Sequence, residues 1–236
     1  MDMNDLLQAL FRWIHFLAGI TWIGMLYFFN LINAHVTAAL QPATRREVVP
    51  QLMPRTLWWF RWGAMFTFLA GILMYLMRMG QMGGGGFFLS QYGVATTLGG
   101  LMGTIMFLNV WLVIWPNQQV VIASTNQVAQ GGQALPTAAA VGRRAALASR
   151  TNTVFSIPML FFMGAASHYP GLVGPSAYHA GFWIIAVIIT GAVEYNALVG
   201  TQGPTKKPLD SVSGALWSGF ILTAVFYVLV GLTLMS

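Results

Sequence analysis

The stretch LQALFRWIHFLAGITWIGMLYFFNLI, Leu7 to Ile32, contains a single charged side chain, that of Arg12. A run of about 20 mostly apolar residues is long enough to cross the hydrocarbon core of a bilayer as an α-helix. In lipid the backbone groups of a segment must pair within that segment, and a helix satisfies this requirement. The stretch therefore predicts a transmembrane helix near the start of the chain.

Further apolar runs of comparable length follow this first one. None shows the strict alternation of a membrane barrel strand. We therefore predict an all-α polytopic membrane protein, a bundle of about six transmembrane helices in a single integral membrane domain covering residues 1–236. The predicted spans are residues 7–32, 57–79, 94–115, 150–168, 178–199 and 213–235.

The composition supports a surface that faces lipid. Of the 236 residues, 57% are hydrophobic and 7% are charged, whereas soluble domains carry about 25% charged residues. Cys is absent, which excludes disulfides, thiolate-ligated metals, iron–sulfur clusters and c-type haem attachment. The net charge of +6 comes from basic residues between the apolar runs, so it indicates membrane topology rather than nucleic-acid binding.

The basic residues also predict an orientation. Most of the 11 Lys and Arg lie in or beside the connections 33–56, 116–150 and 200–212. These are the first, third and fifth connections between spans, so they lie on the same side of the membrane. Arg12 and Arg78 fall on the other side. Because cytoplasmic loops collect Lys and Arg, both termini are predicted to face the periplasm, with the chain in a bacterial inner membrane.

Three of the four His fall at the predicted outer side. His15 lies in the first span, about 12 Å from its outer end at 1.5 Å per residue, while His168 ends the fourth span and His179 begins the fifth. Neutral imidazole is a favoured ligand of haem iron. We predict a b-type haem with His15 and His168 as axial ligands and His179 as a further candidate. The alternatives are hydrogen bonding by His15 to a neighbouring helix and helix capping by His168, or Cu(I) binding by this outer group.

Few other polar residues lie within the predicted spans. Glu194 is the acidic residue that lies clearly within a predicted span. It could relay protons, pair with Arg61 or His35, or stay protonated because it is buried. Asn109 is predicted to donate a hydrogen bond between helices, and Gly99 with Gly103 to let two helices pack closely. No phosphate loop, catalytic triad or HExxH motif is present.

Several stretches resemble the urate oxidase N-terminal family, the membrane domain of bacterial urate oxidases that carry a C-terminal cytochrome c. They cover most of the chain in the expected order, and the WPNQ and SHYP segments are the most specific. The stretches are Arg12 to His15, Gly19 to Gly24, Trp58 to Ala64, Gly103 to Met106, Asn109 to Trp111, Ile114 to Gln118, and Asn152 through Pro158 to Pro170.

The resemblance implies a redox function for the membrane domain. Full-length members are similar to respiratory dehydrogenases in which a cytochrome c passes electrons onward, and here we expect a stand-alone member without that domain. We predict a b-type haem electron-transfer protein that exchanges electrons with a periplasmic cytochrome c. The alternatives are a cofactor-free accessory subunit of a larger respiratory or oxygenase complex, or a component of a membrane-bound urate oxidase. A transporter or channel is the least supported, because the spans hold few charges and no paired broken helices.

Overall fold

The computed structural model describes residues 2–174 and 179–235, and among these every regular element is helical. Five of the described helices are long and apolar enough to cross a membrane, which supports a multi-pass membrane protein in contact with lipid. The helices are α1 (Met3–Ala39), α2 (Pro42–Gln81), α3 (Gly85–Leu89), α4 (Gln91–Ala129), α5 (Ala138–His168), α6 (His179–Leu198) and α7 (Val212–Leu234), with a 3-10 turn at Pro204–Asp210.

The helix starts have local causes in the sequence. The side chains of Asp2, Ser90 and Ser211 each accept a hydrogen bond from a backbone N–H in the first turn of the helix that follows. Such N-caps satisfy donors that have no partner inside the helix. Just after the C-terminal end of α2, Gly83 and Gly84 have positive φ angles of 71° and 59°, which glycine adopts without a steric penalty.

Two connections outside the predicted spans, residues 33–56 and 116–150, are mostly helical. Only Leu40 and Gln41 separate α1 from α2, so the polar segment 33–56 extends both helices instead of joining them as a loop. Similarly, α4 continues to Ala129 and α5 already begins at Ala138. The 40 residues of α2 correspond to about 60 Å, twice the roughly 30 Å hydrocarbon core. The hydropathy of a sequence indicates which part of a helix faces lipid. It does not indicate where the helix ends, which depends on the capping residues.

The helix α5 occupies the centre of the bundle. It packs against α1, α4, α6 and α7, and its residues 151–156 are all buried. It is not among the five helices apolar enough to be candidate spans, because polar residues such as Asn152, Thr153 and Ser156 lower its hydropathy. A helix covered by other helices needs no lipid-like surface. Its crossing of the membrane, and with it the count of six spans, remains a prediction.

Both long helices beside α5 contain a π-helical turn. In α1 the turn is Phe28–Asn33 and in α4 it is Asn109–Ile114. Each carries a buried asparagine whose side-chain amide reaches α5: Asn30 donates to Ser149 Oγ at 2.8 Å, and Asn109 donates to Asn152 Oδ1 at 2.9 Å. Such π turns are rare and often occur at functional sites. Here they bring two polar side chains onto the central helix.

Candidate functional site

A large cavity opens between the pair α1–α2 and the pair α4–α5. Its volume is about 810 Å³, within the range of pockets that hold small molecules and cofactors. Most of its lining is apolar, with His15 as the one ionisable side chain other than tyrosine. The exposed side chains of Phe16, Ile20 and Leu160 also line it. The cavity is therefore open on the side where α1 and α5 face the lipid.

His15 is held in one orientation by α2. Its Nδ1 lies 2.8 Å from the backbone oxygen of Thr67, and in the neutral ring Nδ1–H donates this bond. This tautomer leaves Nε2 with a free lone pair. A ring nitrogen fixed in this way is the usual arrangement of a metal-ligating histidine. The bond to Thr67 is also the contact with a neighbouring helix that the sequence analysis gave as an alternative for His15.

Gly71 provides the space that the imidazole occupies. A Cβ atom at this position would lie 3.0 Å from Cε1 and 3.2 Å from Nδ1 of His15. The ring, which bonds to Thr67 one turn earlier in α2, would then have to shift by a few tenths of an ångström. Sequence analysis did not identify either α2 residue. The only available signal was a glycine within an apolar span, which is common in membrane helices.

Two methionines of α5 line the cavity on the side of the helix pair α4–α5. Met163 and Met159 line the cavity and rest on small residues of α4: a Cβ on Gly99 would lie 2.9 Å from Met163 Cγ, and one on Gly103 3.4 Å from Met159 Sδ. This confirms the predicted role of the two glycines in close helix packing. It also places thioether groups, which are soft metal ligands, in the same cavity as His15.

Hydrogen bonds between the two helix pairs bound the cavity at both ends. At the end near the termini, Tyr75 Oη lies 2.7 Å from Thr97 Oγ1. Towards the middle of the bundle, Tyr27 Oη lies 3.0 Å from the buried Ser156 Oγ. Both tyrosines line the cavity. These contacts hold α1–α2 and α4–α5 at a fixed separation while the space between them stays open.

The other two predicted haem ligands lie outside this cavity. His168 is the last residue of α5 and is exposed. His179 is the first described residue of α6; it is partly buried, and its Nδ1 is buried without a hydrogen-bond partner among the described residues. The structure therefore does not bring His168 or His179 to the cavity with His15, and their role as ligands stays a prediction. No group of three or more His, Asp or Glu suited to a metal ion occurs in the described ranges.

A second polar group lies deeper in the bundle, around α5. Asn109 Nδ2 donates to Asn152 Oδ1 at 2.9 Å and to Glu194 Oε2 at 3.1 Å, while Asn152 Nδ2 donates to the Met106 oxygen at 3.0 Å. The predicted interhelical role of Asn109 is confirmed. The partner of Glu194 is this amide rather than Arg61 or His35, the two candidates that the sequence suggested.

The comparison with family models assigns the chain to a family. The model described as urate oxidase N-terminal matches residues 85–228, which is more than half of the chain. The protein belongs to the urate oxidase N-terminal family. No curated protein and no solved structure matches it. Within this family member, α4, α5 and α6 lie inside the matched segment. The helices that carry His15, Thr67 and Gly71 lie before it.

Proposed function

We propose that this protein is a membrane-embedded b-type haem protein that exchanges electrons with a carrier on the outer side of a bacterial inner membrane, such as a periplasmic cytochrome c. The observation that carries the proposal is His15, which lines a cavity of about 810 Å³ and whose bond from Nδ1 to the Thr67 oxygen leaves Nε2 as the unprotonated nitrogen. A bound haem would supply one-electron redox chemistry.

The residues of the cavity fit such a group. An apolar pocket suits the faces of a porphyrin, and His15 offers a neutral nitrogen ligand whose orientation is set by a backbone carbonyl. Gly71 leaves room for the imidazole, and the Tyr75–Thr97 contact links the two helix pairs at one end of the cavity. The protein's contribution is therefore to bind and orient the group and to exclude water from most of its surface.

Two kinds of side chain are candidates for the second axial position. Sequence analysis suggests His168, whereas the cavity places Met159 and Met163 in the wall that α5 contributes. Haem iron accepts a His–Met pair as well as two histidines, and a methionine ligand raises the reduction potential. A change of ligand field after Met163→Leu, with no change after His168→Ala, would select methionine. The opposite pattern would select His168.

The deciding experiment is a reduced-minus-oxidised absorbance spectrum of the protein purified in mild detergent, with a pyridine haemochrome assay for haem per chain. The wild type is expected to hold b-type haem near one per chain. His15→Ala should abolish the signal, whereas His35→Ala, at an exposed position of the same helix, should leave it unchanged. A wild type with a flat spectrum that copurifies with partner chains would overturn the proposal in favour of an accessory subunit.

A further inference from the structure

Arg61 of α2 lies among three tryptophan rings. Its guanidinium carbon is 5.7 Å from the ring centroid of Trp62, 5.0 Å from that of Trp111 and 4.0 Å from that of Trp115. Trp111 and Trp115 lie one turn apart in α4, within and just after its π-helical turn. Cation–π attraction of this kind becomes stronger where water is excluded. The three rings hold the guanidinium in one place.

The positive charge of Arg61 has no counter-ion within the described residues. The ion pair found there joins Arg143 to Asp210 at 2.7 Å, and Glu194 is bonded to Asn109. Arg61 Nε is buried without a hydrogen-bond partner, and no bond from the two terminal nitrogens to a described residue is present. An unpaired cation in a membrane-spanning region is costly. The charge and its free donors therefore call for an anion from outside the chain.

The surroundings of Arg61 are typical of the level of the lipid headgroups. Trp58 and Trp59, three and two residues before Arg61, are exposed, as in the aromatic belts that mark the membrane interface. Of the three rings, the guanidinium is closest to Trp115, which leads into the predicted cytoplasmic extension of α4. A long basic side chain that reaches towards the interface in this way meets the phosphate groups of one leaflet.

We propose that Arg61, with Trp62, Trp111 and Trp115, binds the phosphate of an anionic phospholipid in the inner leaflet. A guanidinium can donate two parallel hydrogen bonds to phosphate, a geometry that lysine cannot reproduce. The tryptophan rings around the guanidinium restrict its position, so little conformational freedom is lost on binding. The neighbouring exposed tryptophans add contacts to the lipid. This site involves none of the residues that line the His15 cavity.

The test measures lipid binding to the full chain in detergent by native mass spectrometry and by the thermal shift on titration. The probes are phosphatidylglycerol, phosphatidylcholine and inorganic phosphate. We expect phosphatidylglycerol to remain bound and to raise the midpoint of unfolding, since a ligand of the native state stabilises it. Arg61→Gln should weaken this binding at least tenfold and Arg61→Lys by an intermediate factor. Arg55→Gln, which changes an exposed arginine earlier in α2, should have no effect.

Three outcomes would overturn the proposal. Equal binding of phosphatidylcholine and phosphatidylglycerol would show that the lipid charge is not recognised. Inorganic phosphate that saturates the same effect would assign the site to a free anion. Unchanged binding by Arg61→Lys and Arg61→Gln would remove Arg61 from the site. If Arg61→Gln fails to fold, the wild type is compared with Arg61→Lys instead. Quenching of tryptophan fluorescence by brominated phosphatidylglycerol then decides whether Arg61 belongs to the lipid site. His15→Ala should bind lipid normally, which separates this test from that of the haem.

Discussion

His15 obtains its chemical character from two residues that lie more than 50 positions away in the chain. The Thr67 oxygen selects the tautomer, and Gly71 gives the ring its place. From its sequence position alone, a histidine that binds a ligand cannot be told from one that only bonds to a neighbouring helix. The difference lies in which ring nitrogen is left free and in whether that nitrogen meets protein or open space.

At Gly71 we predict that a larger side chain prevents haem binding. Gly71→Val puts a Cβ atom 3.0 Å from His15 Cε1 and adds two methyl groups, so the imidazole must leave the Thr67 oxygen. Haem per chain, measured by pyridine haemochrome, should fall severalfold. The control is Gly80→Val in the same helix, where a Cβ atom meets nothing within 4 Å. Full haem content in both variants would show that the position of His15 does not matter for haem.

Asn152 is fully buried and bonds to two residues of α4, Met106 and Asn109. We expect Asn152→Ala to lower the free energy of unfolding by about 0.5–2 kcal/mol, the range measured for polar contacts between membrane helices. Reversible unfolding in mixed micelles measures the change. Asn117→Ala is the control, because Asn117 bonds to the Val113 oxygen within its own helix and should cost less. Equal losses in the two variants would contradict an interhelical role for Asn152.

Among the elements, α5 explains why hydropathy alone is a poor guide to this bundle. Its polar residues face α1 and α4 through bonds such as Asn30–Ser149 and Asn109–Asn152. Its apolar residues, including Phe155 and Phe162, lie in the hydrophobic core. A central helix is surrounded by protein on most sides. Its sequence therefore reflects its partners and not the lipid.

The crossing of α5 and α7 depends on Gly219. A Cβ atom there would lie 2.5 Å from Ile157 Cδ1 and 3.0 Å from the Val154 oxygen, and the latter is backbone that cannot rotate away. Gly219→Val should therefore separate the two helices and cost about 1–3 kcal/mol, as overpacking of a core does. Gly231→Val in the same helix, where nothing lies within 4 Å, is the matched control. Similar unfolding midpoints for the two variants would argue against a close crossing.

For the molecule as a whole, the basic residues and the helix extensions are expected on the same side of the membrane. Segment 33–56 and the region around residues 116–150 hold many of the Arg side chains, and there α1, α2 and α4 continue beyond the length that a bilayer needs. If this side is cytoplasmic, the His15 cavity lies in the outer half of the bundle. A carrier in the periplasm could then approach it.

This topology can be tested with single cysteines, because the chain contains none. Asp5→Cys, Glu47→Cys and Gln133→Cys all introduce thiols at exposed positions. In intact spheroplasts a membrane-impermeant maleimide should label Asp5→Cys only. After permeabilisation it should label all three, which serves as the control for accessibility. Labelling of Glu47→Cys or Gln133→Cys in intact spheroplasts would reverse the predicted orientation or change the number of spans.

The sequence by itself determined the helical membrane class, the family, the interhelical role of Asn109 and the small-residue contact at Gly99 and Gly103. These follow from local composition, motifs and spacing along one helix. It also singled out His15, because an imidazole in an apolar span is conspicuous wherever the other helices lie.

Only the tertiary structure decided which groups meet. The contacts of His15 with α2, the choice of Asn109 as partner of Glu194, and the tryptophans around Arg61 each join segments distant in the chain. The structure also located the cavity, which the methionines share and which His168 does not line. Helix rotation and the crossing of packed helices set these contacts. Both depend on side-chain packing between helices, and hydropathy along a single segment carries no information about that packing.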